Sequence, residues 1–316
     1  MELIRGIHNL HARHHGCVLT IGNFDGFHRG HQALISELRS EGQRRNLPVM
    51  AIIFEPQPQE YFSKSAAPAR LTLLRDKVKY LATAKVDIIV CVHFNKRFSS
   101  INAYRFLTDY LVKKIGVRLI SIGCDFRFGS GRQGDFMLLQ QVGKETGFEV
   151  MKSTTHIVGN QRVSSTRVRN ALSQDQLEEA EILLGHPYQL SGRVVYGDAL
   201  GRTIGFPTAN LSLNGRRVAL NGVYVVEVLG LTNKPVPGIA NIGNRPTVSG
   251  LNQKIEVHLL DINKNIYGYH LDIIIKKKVR QEKRFPSLES LKQQIANDVI
   301  SARHYFEFEK PQNSIH

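Results

Sequence analysis

Thr20-Ile21-Gly22-Asn23-Phe24-Asp25-Gly26-Phe27-His28-Arg29-Gly30-His31 decides the fold of the first half of this chain. The segment opens inside Cys17–Gly22, a short aliphatic run that reads as a buried strand. It closes where Ala33, Leu34 and Leu38 set up helical spacing over Gly30–Arg45. A strand that turns directly into a helix leaves the helix's unpaired N–H groups and positive dipole end at the turn. Gly30 allows close backbone approach, and the imidazoles of His28 and His31 can donate to phosphate oxygens. His-x-Gly-His in this context predicts a phosphate site.

Working outward, Val49–Phe54, Asp87–Val92 and Val117–Gly123 read as further buried strands. Helical stretches separate them: Thr72–Ala84, with Thr72 as its cap, and Ser100–Ile115, which stops at Gly116. Such alternation predicts an α/β fold, with a parallel sheet, helices on both faces and ligands at the carboxyl ends of the strands. Two more helices, Thr166–Leu172 and Asp175–Leu184, lead to Gly185-His186-Pro187, which halts the pattern. Beyond Tyr188 the periodicity changes. Leu190–Val195, Gly222–Leu229, Ile239–Ile242, Ile255–Leu260 and Leu271–Ile275 read as strands between Gly, Pro and Asn turns, predicting a small antiparallel β-barrel. A terminal helix follows, capped by Ser287, with Leu288, Leu291, Ile295, Val299 and Ala302 as its apolar stripe. The expected domains are therefore 1–186 and 187–316.

Composition agrees with two domains. A length of 316 residues allows two, at about 150 residues each. Hydrophobic residues at 42% and charged residues at 22% are ordinary for globular chains and argue against disorder. The longest apolar runs, Ile88–Val92 and Leu119–Ile122, are too short to cross a bilayer, and no secretory h-region opens the chain. Three cysteines without CxxC spacing exclude a disulfide framework and a thiolate zinc site, and suit a reducing cytoplasm. Cys124 reads as packing, and His8, His11, His14 and His15 as a polar lead-in rather than a metal cluster. The net charge of +15 is scattered. Its dense run, Lys276-Lys277-Lys278, reads as a solvated strand edge. No nucleic-acid module accompanies the charge, so neither a nucleic acid nor a membrane is an expected partner; small polyanions such as ATP use the same field.

Two further segments bear on phosphate. Arg162-Val163-Ser164-Ser165-Thr166-Arg167-Val168-Arg169 opens a predicted helix with more arginine than capping requires. Gly192, Gly197, Gly201 and Gly205 punctuate a loop that ends in Gly205-Phe206-Pro207-Thr208-Ala209-Asn210; spacing alone leaves turn formation and nucleotide binding both open.

With these residues assembled, the chain resembles the prokaryotic bifunctional riboflavin kinase/FMN adenylyltransferase (FAD synthetase) family. Gly22–His31, Phe54-Glu55-Pro56-Gln57-Pro58, Gly123–Gly129 and Ser164–Arg169 look like its Rossmann-like HxGH nucleotidyltransferase module. The Pro-Thr-Ala-Asn loop, Gly222-Val223-Tyr224, Ala240–Gly243 and Glu256–Asp261 look like its riboflavin kinase barrel. The resemblance implies that Gly22, Phe24, His28, His31, Arg162, Ser165 and Thr166 hold one ATP. It implies that Pro56, Pro58, Phe62, Asp125 and Phe128 lie along a flavin, although Phe62 and Phe128 read equally well as core. In the second module it implies Gly197, Arg202, Gly205, Thr208 and Asn210 for ATP, with Thr208 and Asn210 as Mg²⁺ ligands. Glu256 becomes the general base and Arg280 part of a flap over the flavin. Riboflavin, FMN and ATP are the implied substrates and FAD the product. The implied partners are small molecules, and weak self-association is compatible with the reading. Gln57 departs from the family, many members of which carry histidine there, so position 57 is assigned no chemistry.

Overall fold

The computed structural model describes residues 1–123, 125–197, 200–213, 216–247, 250–262 and 264–309, with the backbone alone at 65, 200, 202, 244–247 and 250–252. These residues build two compact units, Met1–Pro68 with Thr72–Ser165, and Ala69–Leu71 with Thr166–His316.

The first unit is a parallel sheet of β1 (Glu2–Arg5), β2 (Cys17–Ile21), β3 (Val49–Glu55), β4 (Ile88–His93), β5 (Val117–Ile122) and β6 (Glu149–Lys152). Its order is β1-β4-β3-β2-β5-β6. The chain steps from β2 out to β3 and β4, then returns across β2 to β5. The carboxyl end of β2 is thus the topological switch point, where α/β sheets bind ligands. Every residue of β2 is buried because both faces are covered. Cys17, Leu19, Met50 and Ile52 pack on one face against Phe106, Leu107 and Leu111. Val18, Ala51 and Ile53 pack on the other against Ile35, Leu38 and Leu81.

The helices of this unit are α1 (Arg29–Arg45), α2 (Pro58–Ser63), α3 (Leu74–Thr83), α4 (Lys96–Ser99), α5 (Ala103–Arg105) and α6 (Phe136–Thr146). α5 continues as a π-wound segment, Phe106–Ile115, and stops at the left-handed Gly116 (φ 62°), as its sequence predicts. Two short strands, β7 (Ile157–Val158) and β8 (Gln161–Arg162), form a hairpin. Thr72 is not the cap expected of it. α3 begins at Leu74 after an N-cap Leu73, and the Thr72 hydroxyl instead accepts from Gly26 N (3.0 Å) and donates to Asp25 Oδ1 (3.2 Å).

The second unit carries α7 (Ser165–Ser173) from Thr166 onward, α8 (Leu177–Leu184) and a closed antiparallel barrel. The barrel strands are β9 (Gln189–Val195), β10 (Thr208–Leu211), β11 (Gly222–Leu229), β12 (Val236–Thr247), β13 (Gly250–Leu259) and β14 (His270–Arg280), in the order β10-β13-β12-β11-β14-β9. β9 also pairs with β10, so the ring closes. A single helical turn, α9 (Leu200–Thr203), precedes β10, and α10 (Leu288–His304) ends the fold on its Ser287 cap. Tyr224, Val226, Ala240, Ile242, Val257 and Ile273 fill the barrel interior.

Two expectations change here. Leu288 is exposed, and of the expected stripe only Ala302 is fully buried, with Leu291, Ile295 and Val299 half-buried. The lysine run lies where β14 pairs with β11 alone, because the β9 ladder reaches only Ile274, but it is not simply solvated. Each lysine instead has an acidic partner: Lys276 with Glu227 (3.0 Å), Lys277 with Glu309, and Lys278 with Asp175 (2.6 Å). Asp175, left-handed at φ 61° rather than in α8, also accepts from the Tyr224 hydroxyl at 2.6 Å.

Two candidate active sites

The first site forms where β2 ends. Phe24, Gly26 and Phe27 adopt positive φ (48°, 81° and 42°), a sharp turn that two non-glycine residues sustain only because the surroundings fix it. Thr72 supplies one anchor through Asp25 and Gly26, and Ser165 supplies another by donating its hydroxyl to Asp25 O at 2.8 Å. The turn delivers His28 as the N-cap of α1, with its ring stacked on His31 at 3.7 Å and 16°. Gly30 is tight as well as permissive: a Cβ there would lie 3.2 Å from the His28 ring and 3.5 Å from Val163 O. The His28–His31 pair and the 162–165 segment therefore meet at the N-terminus of α1. Phe24 backs the His31 ring at 5.1 Å, and a side chain at Gly22 would press on the Phe24 ring.

Burial, reinforced by the charges of His28, Lys77 and Arg162, holds the His31 imidazole well below its ordinary value. The ring is neutral near pH 7 and still offers one N–H. Its Nδ1 is buried without a hydrogen-bond partner. Arg162 donates to Asp125 at 2.9 Å, and this contact holds the Asp125 carboxyl below the usual range. The other two arginines of the segment have internal roles, Arg167 with Glu179 (2.8 Å) and Arg169 with Ala69 O (2.6 Å). Thr166 lies exposed in the first turn of α7.

Along the adjacent strand end, Pro56 and Pro58 are half-buried, and Phe62 stands 65% exposed against Phe94. Phe128 is core, packed on Phe106 and Phe126. Cys124 lies outside the described residues.

The second site is a cavity of about 430 Å³ on the outer face of the barrel. Strand alternation explains its chemistry. Ala209, Leu211, Ile255 and Val257 point into the barrel, so Thr208, Asn210, Glu256 and His258 point out. Register then aligns them: Glu256 pairs with Asn210 on one side and Asn241 on the other, and Thr208 pairs with His258. Leu291, Ile295 and Val299 of α10 form an apolar wall, which is why this stripe is only half-buried. Arg280 also lines the cavity, held in a fork by the buried Asp298 at 2.7–3.0 Å and lying over the Phe285 ring. The glycines serve space. A side chain at Gly197 would collide with Asn210, and one at Gly201 with Phe206 O. Gly205 (φ 90°) faces open space outside the cavity lining, and only the backbone of Arg202 is described.

Comparison with known proteins matches these two constructions to two families. The family described as FAD synthetase covers residues 10–167, and that described as riboflavin kinase covers 184–306. A bifunctional riboflavin kinase/FMN adenylyltransferase of Escherichia coli (strain K12) is 56% identical over 312 residues, spanning 98% of this chain and 100% of that one. The chain belongs to the bifunctional riboflavin kinase/FMN adenylyltransferase family. The corresponding protein of Haemophilus influenzae is 47% identical over 97% of this chain and 99% of its own. A crystal structure described as a macrolide-efflux protein from Streptococcus pneumoniae aligns with a TM-score of 0.80 at 28% identity, covering 96% of this chain and 99% of that one. The likeness is one of fold. No helix among the described residues is long and apolar enough to cross a membrane.

Within this family fold, four residues escaped the sequence reading. Thr72 was legible only as a helix cap, because its partners Asp25 and Gly26 are remote in sequence. Asp298 sat in the terminal helix beside its apolar stripe with no visible cation, and His258 inside a strand. Gln57, read only as a departure from the family pattern, is 4% exposed with a buried Nε2 lacking a hydrogen-bond partner.

Proposed function

We propose that each of the enzyme's two ATP-dependent reactions is performed by one of these constellations. The enzyme phosphorylates riboflavin to FMN and adenylylates FMN to FAD. The observation that carries the assignment of residues is the row Asn210–Glu256–Asn241, one carboxylate between two amides in a cavity distinct from the His28–His31 pair.

In the barrel, Glu256 takes the proton of the ribityl hydroxyl as its oxygen attacks the γ-phosphorus of ATP, and ADP departs. Thr208 and Asn210 are neutral oxygen donors adjacent on one strand face, a set that fits the Mg²⁺ of ATP. When bound, Mg²⁺ neutralises phosphate charge. Gly197, Arg202 and Gly205 complete the ATP loop, and Arg280, held by Asp298, borders the flavin. In the first unit, a phosphate oxygen of FMN attacks the α-phosphorus of a second ATP and pyrophosphate leaves. No base is needed, since that phosphate is already ionised. His28 and His31 hold the triphosphate at the α1 N-terminus, with Gly22 and Phe24 bounding it. Arg162, Ser165 and Thr166 contribute from the other segment. Pro56, Pro58, Asp125 and the exposed ring of Phe62 line the flavin, and Phe128 supports that wall from the core. The functional boundary lies near residue 186, the partners are small molecules, and the buried thiols of Cys17 and Cys91 suit a reducing cytoplasm.

The test is incubation with riboflavin and ATP–Mg²⁺, resolving flavins over time. FMN should appear first and FAD follow, with ADP and pyrophosphate as co-products; a lone product would remove one of the two assignments.

A further inference from the structure

We infer that His258 is a positioning residue for riboflavin phosphorylation, acting through the carbonyl of Pro207 to hold Thr208 in place. The inference rests on reading Thr208 as a ligand of the phosphates and Mg²⁺ of ATP.

His258 Nδ1 lies 2.8 Å from Pro207 O. A carbonyl oxygen can only accept, so the proton of this contact sits on Nδ1. The bond fixes the peptide plane that joins Pro207 to Thr208, immediately before β10 begins. The ring also meets Phe206 edge-on, at 5.6 Å and 81°. From the other side, Phe206 N donates to Gly201 O at 2.8 Å, and Gly201 leaves no room for a side chain against Phe206 O or Thr208. The loop is thus clamped between a backbone bond and an imidazole. Strand geometry places the imidazole there: His258 pairs with Thr208 and lies two residues from Glu256 on the same face of β13. One short strand therefore carries both the proposed base and the group that holds the ATP loop. Catalysis by alignment is sensitive to displacements of about 1 Å, so freeing this carbonyl should weaken ATP engagement.

The experiment compares His258→Ala, His258→Gln and His258→Asn with Thr208→Ala in the full-length enzyme. Asparagine places an amide N–H near the position of Nδ1, whereas glutamine places it near Nε2. A lost net hydrogen bond corresponds to roughly a tenfold change, so KM for ATP in riboflavin phosphorylation should rise about tenfold in His258→Ala and His258→Gln. kcat should move far less, and His258→Asn should restore most of the parental KM. Adenylylation of supplied FMN is the fold control in the same molecule and should stay at the parental rate. The inference is overturned if His258→Ala keeps the parental KM, if kcat collapses at constant KM, or if His258→Asn is as impaired as His258→Ala. Should His258→Ala not fold, the Asn–Gln contrast, close in volume, decides alone. An unchanged KM for ATP in Thr208→Ala would instead remove the underlying reading of Thr208, whatever the histidine variants show.

Discussion

The two sites are built in opposite ways. The first is assembled from loops at the carboxyl end of a parallel sheet, and its shape depends on positive-φ residues fastened by Thr72 and Ser165. The second is written on strands, where register sets Thr208, Asn210, Asn241, Glu256 and His258 side by side. A loop site owes its geometry to remote anchors, whereas a strand site owes it to ladder hydrogen bonds that the barrel needs anyway. Function can therefore be lost in the first by cutting an anchor with the sheet intact, but in the second chiefly by changing the chemistry of a side chain.

The strongest test of that contrast is Glu256→Gln. The change is nearly isosteric and leaves the ladder alone, yet losing a positioned base costs about 10²–10⁴ in rate. Riboflavin phosphorylation should collapse while FMN is still converted to FAD. Phosphorylation within a few-fold of the parent would show that Glu256 is not the base.

His31→Ala is the converse. Removal of one preorganised donor costs about 10²–10³ in rate, here in FAD formation from supplied FMN, with riboflavin phosphorylation nearly unaffected. Equal loss of both activities, measured on one preparation, would mean that the sites are not separate.

The third test concerns where the barrel unit begins. A fragment from residue 187 should fold and make FMN, but it lacks Asp175 and so loses the bonds to Tyr224 and Lys278. A fragment from residue 166 keeps them. Leaving buried polar groups short of a partner costs about 1–3 kcal/mol, so the shorter fragment should unfold at lower denaturant with comparable kinase activity. Equal midpoints would show that the Asp175 contacts add nothing.

The smallest effect is a pH dependence. His31 has a folded value below its ordinary one, so below about pH 6.5 the unfolded chain binds the extra proton. Stability from this group is present above that pH and is lost as pH falls, at up to about 1.4 kcal/mol per pH unit. The parent's unfolding free energy should fall between pH 7.5 and 5.5 more than that of His31→Gln; identical slopes would place the ring in water.

Much of this was legible in the chain. The strands at 17–22, 49–54, 87–92 and 117–123 and five of the six barrel strands emerged from apolar periodicity, because each has at least one covered face; β10, only four residues long, was read as the end of a loop. The edge strands β1 and β6 did not, since Glu2–Arg5 and Glu149–Lys152 are half polar and lack a second buried face. His28 and His31 stood out as candidates through a local motif, and Thr208, Asn210 and Glu256 through the family resemblance; the fold lines one cavity with the last three. Thr72, Asp298 and His258 were not, because each acts through a partner that only the tertiary fold brings near. The lysine run misled for the same reason: three adjacent cations look solvated until Glu227, Glu309 and Asp175 arrive from 32 to 103 residues away or across a strand pair.

The row on the outer face of β13 also bears on how this chain can vary in length over evolutionary time. Adding or deleting one residue between 250 and 256 would exchange inside for outside along the strand, sending the carboxylate into a barrel filled with valine and isoleucine. Point substitutions at the positions flanking Glu256 can be drifted through one at a time, whereas a single-codon gap cannot. Insertions and deletions among descendants of this sequence should accordingly gather in 261–269, after β13 has ended, and leave 250–258 at constant length.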